Sequence, residues 1–512
     1  MIARLLRSGG AEFPGLTRRT HAALRLLALA CFLLLLGKAW RDIDLIGWDP
    51  LFYHLPFAAR IWGITPATSF GFVNYLEEVY RGFPRLTEAL QGLLWRVTGR
   101  MQAANLVALG SLALYCLFAR TYLRLPGAVL FLALIATPLI QIHASTSFVD
   151  LPANLACAAA LILAYRRCLT RAVPAPWETG LFLLALGATA NMKMQLLPMV
   201  LLALSVVLVR LVTLYRAGDD VAIRRRIAYT VLAVAVATPL LFATYLKNTI
   251  LYHNPLYPIP VEILGVELPF GWDAYPKAPE YLQDAPQAVR WLYSILEFRA
   301  FDPTRPYLWT GDQGSVPDNS PGDRMGGYGF PFVLLNLALL AYLALRTRSR
   351  EARIGALGFL LISGITAFLP QSHLLRYYLY WMIALLTLNI ALLARLRLPL
   401  AITLPAPGHL RLRVPITLGG FAAVCCVCLL VVAALTQGVY FRPTDQRARL
   451  DYIAAIDPDI RAALAESTEL CVTGGAQLSY LYTENFHAPF HYAVKAVFEA
   501  DECGTWLVIP AR

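Results

Sequence analysis

Charged residues are scarce in this sequence. Asp, Glu, Lys and Arg together make up 15% of its 512 residues, whereas a soluble protein of this size carries about 25%. In their place stand repeated apolar runs of roughly 17–25 residues, the length needed to cross the hydrocarbon core of a bilayer. This pattern excludes an ordinary soluble domain and predicts an all-α polytopic membrane protein.

Little in the sequence indicates a metal or redox centre. The nine cysteines are scattered, and no spacing of Cys and His suggests zinc. Cys425, Cys426 and Cys428 lie within an apolar run and are predicted to be core thiols. Near the C-terminus, Cys471 and Cys503 either form a disulfide, which requires an oxidising compartment, or are two buried free thiols.

The apolar runs predict about eleven spans. The first has basic flanks, but no small-x-small cleavage site follows it, so we interpret it as a retained span rather than a signal peptide. The fifth and sixth are short and are alternatively one broken hairpin. The predicted spans are 22–40, 102–119, 127–143, 151–165, 177–192, 195–214, 228–246, 329–345, 354–369, 377–394 and 416–436.

The positions of Lys and Arg predict the orientation, because short cytoplasmic loops carry an excess of positive charge. Most of the net charge of +12 therefore reflects topology, and we expect membrane lipids rather than nucleic acid as partners. The basic tail 1–21 is predicted to be cytoplasmic, and the short outer connections hold only Lys193 and Arg376. This orientation requires residues 87–99 (TEALQGLLWRVTG) to be an interfacial helix rather than a span.

Three longer segments then lie outside the membrane, which we expect to be the plasma (bacterial inner) membrane. Two are outer loops of the transmembrane domain 22–436, at 41–101 and 247–328, and the first includes amphipathic helices. The third is the tail 437–512, which has a helical pattern in DYIAAIDPDIRAALAES and strand-like runs in ELCVTGG and TWLVIPAR. It predicts a small extracytoplasmic α/β domain with the C-terminus outside.

Charged residues from distant segments reach this predicted outer face. Asp49 follows the first span, Asp150 lies between the third and fourth, Lys193 lies between the fifth and sixth, and Arg376 opens the tenth. Charges at the membrane are costly and are often functional. Taken singly, the two cations have the alternative of snorkelling from span ends, and Asp150 that of capping a helix. Their shared side favours a site.

Several segments of the chain resemble those of one protein family. They are WDPLFYHLP after the first span, FPRLTEALQGLLWRVTG on the surface, HASTSFVDLPANL, YLKNTILYHNPLYP and RYYLYW. Over roughly residues 20–400 the chain resembles the GT-C superfamily of membrane glycosyltransferases, near the protein mannosyltransferases and aminoarabinose transferases of glycosyltransferase family 39. The YHLP and NPLYP segments are the most specific parts of this resemblance.

The resemblance implies an inverting transfer of a sugar from a polyprenyl-phosphate donor to an acceptor on the outer face. It implies Asp49 as the catalytic residue, with Asp150 as the second acid, and Lys193 and Arg376 as cations for the lipid phosphate. Elementary chemistry agrees, since a phosphate leaving group needs positive charge and the attacking hydroxyl needs a base. Some GT-C enzymes add a divalent metal, which this sequence does not demand.

Further residues on the same side are assigned to the substrate. Arg81 and Arg85 are predicted to bind the donor phosphate, although a solvated amphipathic surface explains them as well. The residues predicted to bind other parts of the substrates are Tyr53, His54, Glu78, Lys247, Asn248 and His373. For His54 the alternative is a hydrogen-bonded structural residue, and for the aromatic run YYLYW it is an interfacial belt.

The chain departs from the family in two respects that bear on the acceptor. Asp49 is a lone acid followed by Pro50, where the protein mannosyltransferases have an Asp-Glu pair. The chain also has fewer predicted spans than the aminoarabinose transferases. The resemblance therefore does not imply a protein or lipid A as the acceptor.

Three other functions fit the same composition: a transporter or flippase for lipid-linked saccharides, an enzyme of the O-antigen ligase or polymerase type, and an inactive accessory subunit. The sequence shows no internal repeat, which disfavours the transporter. Its acids come early, whereas the ligases rely on Arg and His in a late outer loop.

Overall fold

The structure is a computed structural model that describes most of the chain. The described residues are 16–42, 49–170, 172–217, 220–260, 262–263, 266–269, 282–296, 327–347, 349–395, 400–405, 411–443, 447–474, 478–487 and 489–510. Much of the predicted cytoplasmic tail and of the outer loop 247–328 lies outside these residues.

Helices make up most of the described chain. In order they are α1 (Arg18–Arg41), α2 (Leu55–Ile61), α3 (Asn74–Gly82), α4 (Leu86–Thr98), α5 (Leu106–Thr121), α6 (Gly127–Ile135), α7 (Pro138–His143), α8 (Asp150–Leu169), α9 (Pro176–Met192), α10 (Leu197–Ala217), α11 (Val221–Leu241), α12 (Ala243–Tyr252), α13 (Gln287–Leu296), α14 (Phe330–Thr347), α15 (Arg350–Phe368), α16 (Tyr380–Arg395), α17 (Leu418–Leu435) and α18 (Arg447–Leu464).

Among the described residues, six helical segments are long and apolar enough to cross a membrane, and α11 with α12 makes a seventh if that pair, bent by 54°, is one span. The six are Arg18–Arg41, Met101–Thr121, Met194–Ala217, Phe330–Thr347, Arg350–Phe368 and Leu418–Leu435. The chain is therefore an integral membrane protein, as predicted.

The other four predicted spans are helical but short, broken or charged. The third is divided into α6 and α7 before Pro138, the fourth is α8 with its terminal charges, and α9 and α16 have 17 and 16 residues. Two of these helices, α8 and α16, are buried along most of their length. Helices at the centre of a bundle are covered by protein, so they do not need a full apolar span facing lipid.

The C-terminal tail contains the predicted α/β arrangement. Strands β6 (Glu469–Thr473), β7 (Ala493–Ala496) and β8 (Leu507–Pro510) pair in parallel, and α18 packs on them through Ile456 and Ile460. Elsewhere, two antiparallel hairpins pair β2 (Glu262–Ile263) with β3 (Val266–Glu267), and β4 (Leu400–Pro405) with β5 (Arg411–Ile416).

The first outer segment completes this C-terminal sheet, which the sequence did not predict. Strand β1 (Phe70–Gly71) pairs in parallel with β7, giving the strand order β1-β7-β6-β8. Next to the sheet, the hydroxyls of Thr65 and Tyr480 are hydrogen-bonded at 2.8 Å. Apolar residues of the two segments form one continuous core. The tail and the described part of segment 41–101 therefore pack as a single unit.

Cys471 and Cys503 are joined by a disulfide, with their Cα atoms 5.7 Å apart. Both residues are buried. Of the two alternatives that the sequence left open, the structure contains the disulfide.

We predict that thiol labelling will distinguish these two cysteines from the rest. The chain has nine cysteines, and removing the disulfide pair leaves seven free thiols. Denatured, unreduced protein should therefore take up seven maleimide labels by mass spectrometry, and reduced protein nine. Nine labels before reduction would contradict the disulfide.

The predicted orientation is testable at two exposed positions, Glu78 and Arg225. In a background without free cysteines, Glu78→Cys should react with a membrane-impermeant maleimide on intact cells, because 41–101 is predicted to lie outside. Arg225→Cys should react only after permeabilisation. The reverse pattern would overturn the orientation.

Candidate functional site

The four charged residues singled out in the sequence lie where helices begin or end. Asp49 immediately precedes the π-helical turn Pro50–His54, and Asp150 is the first residue of α8. Lys193 is an extended residue between α9 and the 3-10 turn Met194–Leu196, and Arg376 lies in the 3-10 turn Leu375–Tyr378 before α16. These ends meet at one end of the helical bundle.

The four residues form two ion pairs. Arg376 Nη2 lies 2.7 Å from Asp49 Oδ2, and Lys193 Nζ pairs with Asp150 Oδ1. Asp49 is half-buried, whereas the other three residues of the two pairs are buried. The ring of Tyr377 bridges the pairs, with its centroid 3.9 Å from Lys193 Nζ and 5.0 Å from Arg376 Cζ. The structure thus brings together the acids and cations that the sequence placed on one side.

The simpler interpretations of these residues are wrong. Lys193 and Arg376 do not snorkel from span ends, because both side chains are buried in the protein. Asp150 does not cap a helix. The N-cap position of α8 is occupied by Val149, and no side chain makes a capping hydrogen bond there.

Asn154 fixes the relative position of the two pairs. Its amide donates to the carbonyl oxygens of Asp150, at 2.8 Å, and of Arg376, at 3.4 Å, while its oxygen accepts from the backbone N–H of Tyr380. The side chain is fully buried and joins the start of α8 to the turn that carries Arg376. Its position one turn after Asp150 was the only sequence signal for this role.

Two aromatic side chains add to this framework. The hydroxyl of Tyr328 donates to the carbonyl oxygens of Leu375 and Tyr378, at 2.9 and 3.0 Å, on either side of Arg376 and Tyr377. The ring of Phe148 lies 5.2 Å from Arg376 Cζ and 4.8 Å from the ring of His143. His143 is a buried neighbour of Asp150 that the sequence did not single out.

Tyr53 and His54 line the Asp49 side of the site. Burial, and then the charge of the neighbouring Asp49, raise the pKa of Tyr53 well above its ordinary value, so the phenol stays protonated. His54 packs against Tyr53, with ring centroids 4.1 Å apart, and its Nδ1 lies 2.9 Å from Glu88 Oε1. His54 is therefore hydrogen-bonded within the protein, and its role in binding the substrate stays a prediction.

A second polar group joins α3 to α12. Arg81 Nε lies 3.3 Å from Glu77 Oε1, and the Arg81 carbonyl accepts from Lys247 Nζ. Asn248 is fully buried and donates to the carbonyl oxygens of Gly82 and Tyr257, at 2.9 and 3.2 Å.

Arg85 and Glu78 lie in the same region. The guanidinium carbon of Arg85 is 4.0 Å from the centroid of the Tyr80 ring, and the side chain of Glu78 is exposed. His373 is buried three residues before Arg376. For these residues and for the α3–α12 group, a role in binding the substrates stays a prediction.

Among the described residues, the site offers no set of ligands for a divalent metal. Each of its two carboxylates already faces a cation. In the described part of the chain, no group of three or more His, Cys, Asp or Glu side chains converges as a metal site requires.

The fold is similar to that of ArnT from Cupriavidus metallidurans in the apo state. The two share 14% identity and align with a TM-score of 0.54 over 95% of this chain and 87% of that chain. A second structure of that protein, bound to undecaprenyl phosphate, aligns with a TM-score of 0.49 at 14% identity over 94% and 86%. The chain matches no family model and no curated protein. At this identity the likeness extends to the fold alone, and the all-α polytopic membrane fold expected from the sequence is confirmed.

Replacement of Asn154 should destabilise the site. Asn154→Leu keeps the approximate volume but removes both side-chain hydrogen bonds to buried carbonyls and leaves the backbone N–H of Tyr380 without this acceptor, at about 1–3 kcal/mol for a buried group left unpaired. We expect a lower thermal midpoint in detergent than for Thr121→Val, which removes one exposed hydrogen bond within a helix. Equal midpoints for the two variants would show that Asn154 does not hold the two segments together.

Proposed function

We propose that the protein is an inverting glycosyltransferase that moves a hexose or pentose from a polyprenyl-phosphate donor to an acceptor hydroxyl on the extracytoplasmic face of the bacterial inner membrane. The observation that carries the proposal is the pairing of two carboxylates with two buried cations at one end of the bundle. Such a site offers both a base for a hydroxyl and positive charge for a phosphate.

The cations suit the leaving group. The donor is a phosphodiester with one negative charge, and negative charge builds up on the leaving phosphate as its bond to the sugar breaks. A guanidinium presents a planar pair of donors to phosphate oxygens, and an ammonium adds a point charge. Arg376 and Lys193 therefore stabilise the transition state more than the bound donor, which is the requirement for catalysis.

Asp49 is the better placed of the two carboxylates to act as base. Its side chain is half-buried, so an acceptor hydroxyl can reach it, whereas Asp150 is fully withdrawn beside Lys193. When the donor phosphate takes over the guanidinium of Arg376, the carboxylate of Asp49 loses its partner and is available for a proton. Asp150 keeps Lys193 in place.

The reaction is then a single displacement. The acceptor oxygen attacks the anomeric carbon and gives its proton to Asp49, while the bond from that carbon to the phosphate oxygen breaks and its electron pair leaves with the polyprenyl phosphate. Tyr53 takes no part as a base, because its phenol stays protonated beside Asp49. It is placed to donate a hydrogen bond to an oxygen of the donor or acceptor.

Release of free undecaprenyl phosphate tests this function. Purified protein is given a panel of undecaprenyl-phosphate monosaccharides, with membrane extract as the source of acceptor. We expect the wild type to release the lipid phosphate from at least one donor. Asp49→Asn should reduce release by about 10²–10⁴-fold, the usual contribution of a general base.

Asp451→Asn is the matched control, since Asp451 is an exposed acid on α18. It should leave release unchanged, and thermal midpoints measured on all three proteins check that Asp49→Asn still folds. Full turnover by Asp49→Asn would remove Asp49 as the base. Failure of the wild type on every donor, with movement of labelled lipid across vesicles, would instead support a transporter.

A further inference from the structure

Helix α4 has its polar face inside and its apolar face outside. Leu90, Leu93 and Val97 are 37%, 37% and 74% exposed, whereas Thr87, Glu88 and Gln91 are 0%, 4% and 1% exposed. An interfacial helix places an apolar face against the membrane, as predicted for this segment. Its polar face is then turned into the protein, where polar groups are costly unless they have hydrogen-bond partners.

Several of these buried polar atoms have no hydrogen-bond partner in the described protein. On α4 they are Thr87 Oγ1, Glu88 Oε2 and Gln91 Oε1. In the segment between α7 and α8 they include the hydroxyls of Ser145 and Ser147. The two sets are in contact, because Gln91 Nε2 donates to the carbonyl of Ser147 at 2.6 Å. Buried polar side-chain atoms in native proteins nearly always pair with protein, water or a ligand, so this cluster calls for an occupant.

The cluster is connected to the two ion pairs through neighbouring residues. Glu88 is bonded to His54, the residue after Tyr53, and Tyr53 lies close enough to Asp49, Asp150 and Arg376 for their charges to act on it. On the other side, Ser147 is three residues before Asp150. These connections link the unpartnered atoms to the site at which transfer is proposed to occur.

Close helix packing holds α4 in this position. A Cβ atom on Gly92 would lie 2.4 Å from the carbonyl oxygen of Ala58, so only glycine allows α4 to approach α2 this closely. The indole of Trp62 also donates to the carbonyl of Ala89 at 2.7 Å. The polar face of α4 is therefore preorganised rather than free to turn towards water.

We propose that Thr87, Glu88, Gln91, Ser145 and Ser147 form the subsite that binds the hydrogen-bond donor groups of the donor sugar. The inference rests on the proposed function. A carboxylate oxygen and an amide oxygen only accept hydrogen bonds, so their partner must carry O–H or N–H groups. The phosphate oxygens of an ionised donor phosphodiester only accept and an isoprenoid chain has no polar atom, which leaves the sugar as the part of the donor that fits.

The sign of the stability change separates this role from a structural one. Removing a hydroxyl that has no partner in the free protein costs no hydrogen bond and relieves the burial of a polar group. Thr87→Val, Ser145→Ala and Ser147→Ala should therefore keep or raise the thermal midpoint. Thr189→Val is the matched control, because the fully buried Thr189 hydroxyl donates to the Ala185 carbonyl at 2.7 Å. It should lower the midpoint and leave transfer unaffected.

The same variants are then assayed with the undecaprenyl-phosphate monosaccharide that the wild type uses best. We expect kcat/KM to fall about 3–10-fold for each hydroxyl removed, the effect of one neutral hydrogen bond. Binding of undecaprenyl phosphate without a sugar should be unchanged, because that lipid does not reach the subsite.

Three results would overturn the inference. An unchanged kcat/KM would mean that the atoms are satisfied by ordered water only. A lower midpoint for the Thr87, Ser145 and Ser147 variants would assign them to the fold, and an equal loss of undecaprenyl phosphate binding would place the lipid phosphate here. If the wild type uses no donor, the proposed function fails first, and that result is distinct from all three.

Discussion

The pairing of Asp49 with Arg376 and of Asp150 with Lys193 is the constraint on which this end of the bundle depends. Buried ion pairs seldom stabilise a fold over well-packed apolar residues, because withdrawing the charges from water costs about as much as their attraction returns. Asn154 and Tyr328 fix the backbone around them, and the Tyr377 ring lies against both cations. Such an arrangement is well suited to receive another charged group, and the proposed donor brings a phosphate.

The C-terminal sheet supports the Asp49 side of this arrangement. The turn Pro50–His54 that follows Asp49 contacts the turn Ser479–Tyr482 of the C-terminal tail, and β1 enters the C-terminal sheet. The disulfide between Cys471 and Cys503 secures the strand next to β7. The position of Asp49 is thus set by the helical bundle on one side and by the unit that contains the C-terminal sheet on the other.

The sequence predicted which residues meet but not how they meet. Span ends place Asp49, Asp150, Lys193 and Arg376 at one depth, since a helix of known length fixes height along its axis. They say nothing of rotation about that axis, so which acid pairs with which cation could not be predicted. The burial of the polar face of α4 was not predicted, because an amphipathic helix has the same sequence pattern whichever of its faces is buried. Strand β1 was not predicted because a strand of two residues gives no periodicity.

The configuration of the product at the anomeric carbon tests the central claim most directly, because only a direct displacement of the phosphate links the base and the cations in one step. A β-linked undecaprenyl-phosphate sugar should give an α-linked product, read from the coupling constant of its anomeric proton by NMR. A β-linked product would mean that the configuration is retained, which a single displacement from the opposite face cannot give, and would contradict the proposed roles of Asp49 and the two cations.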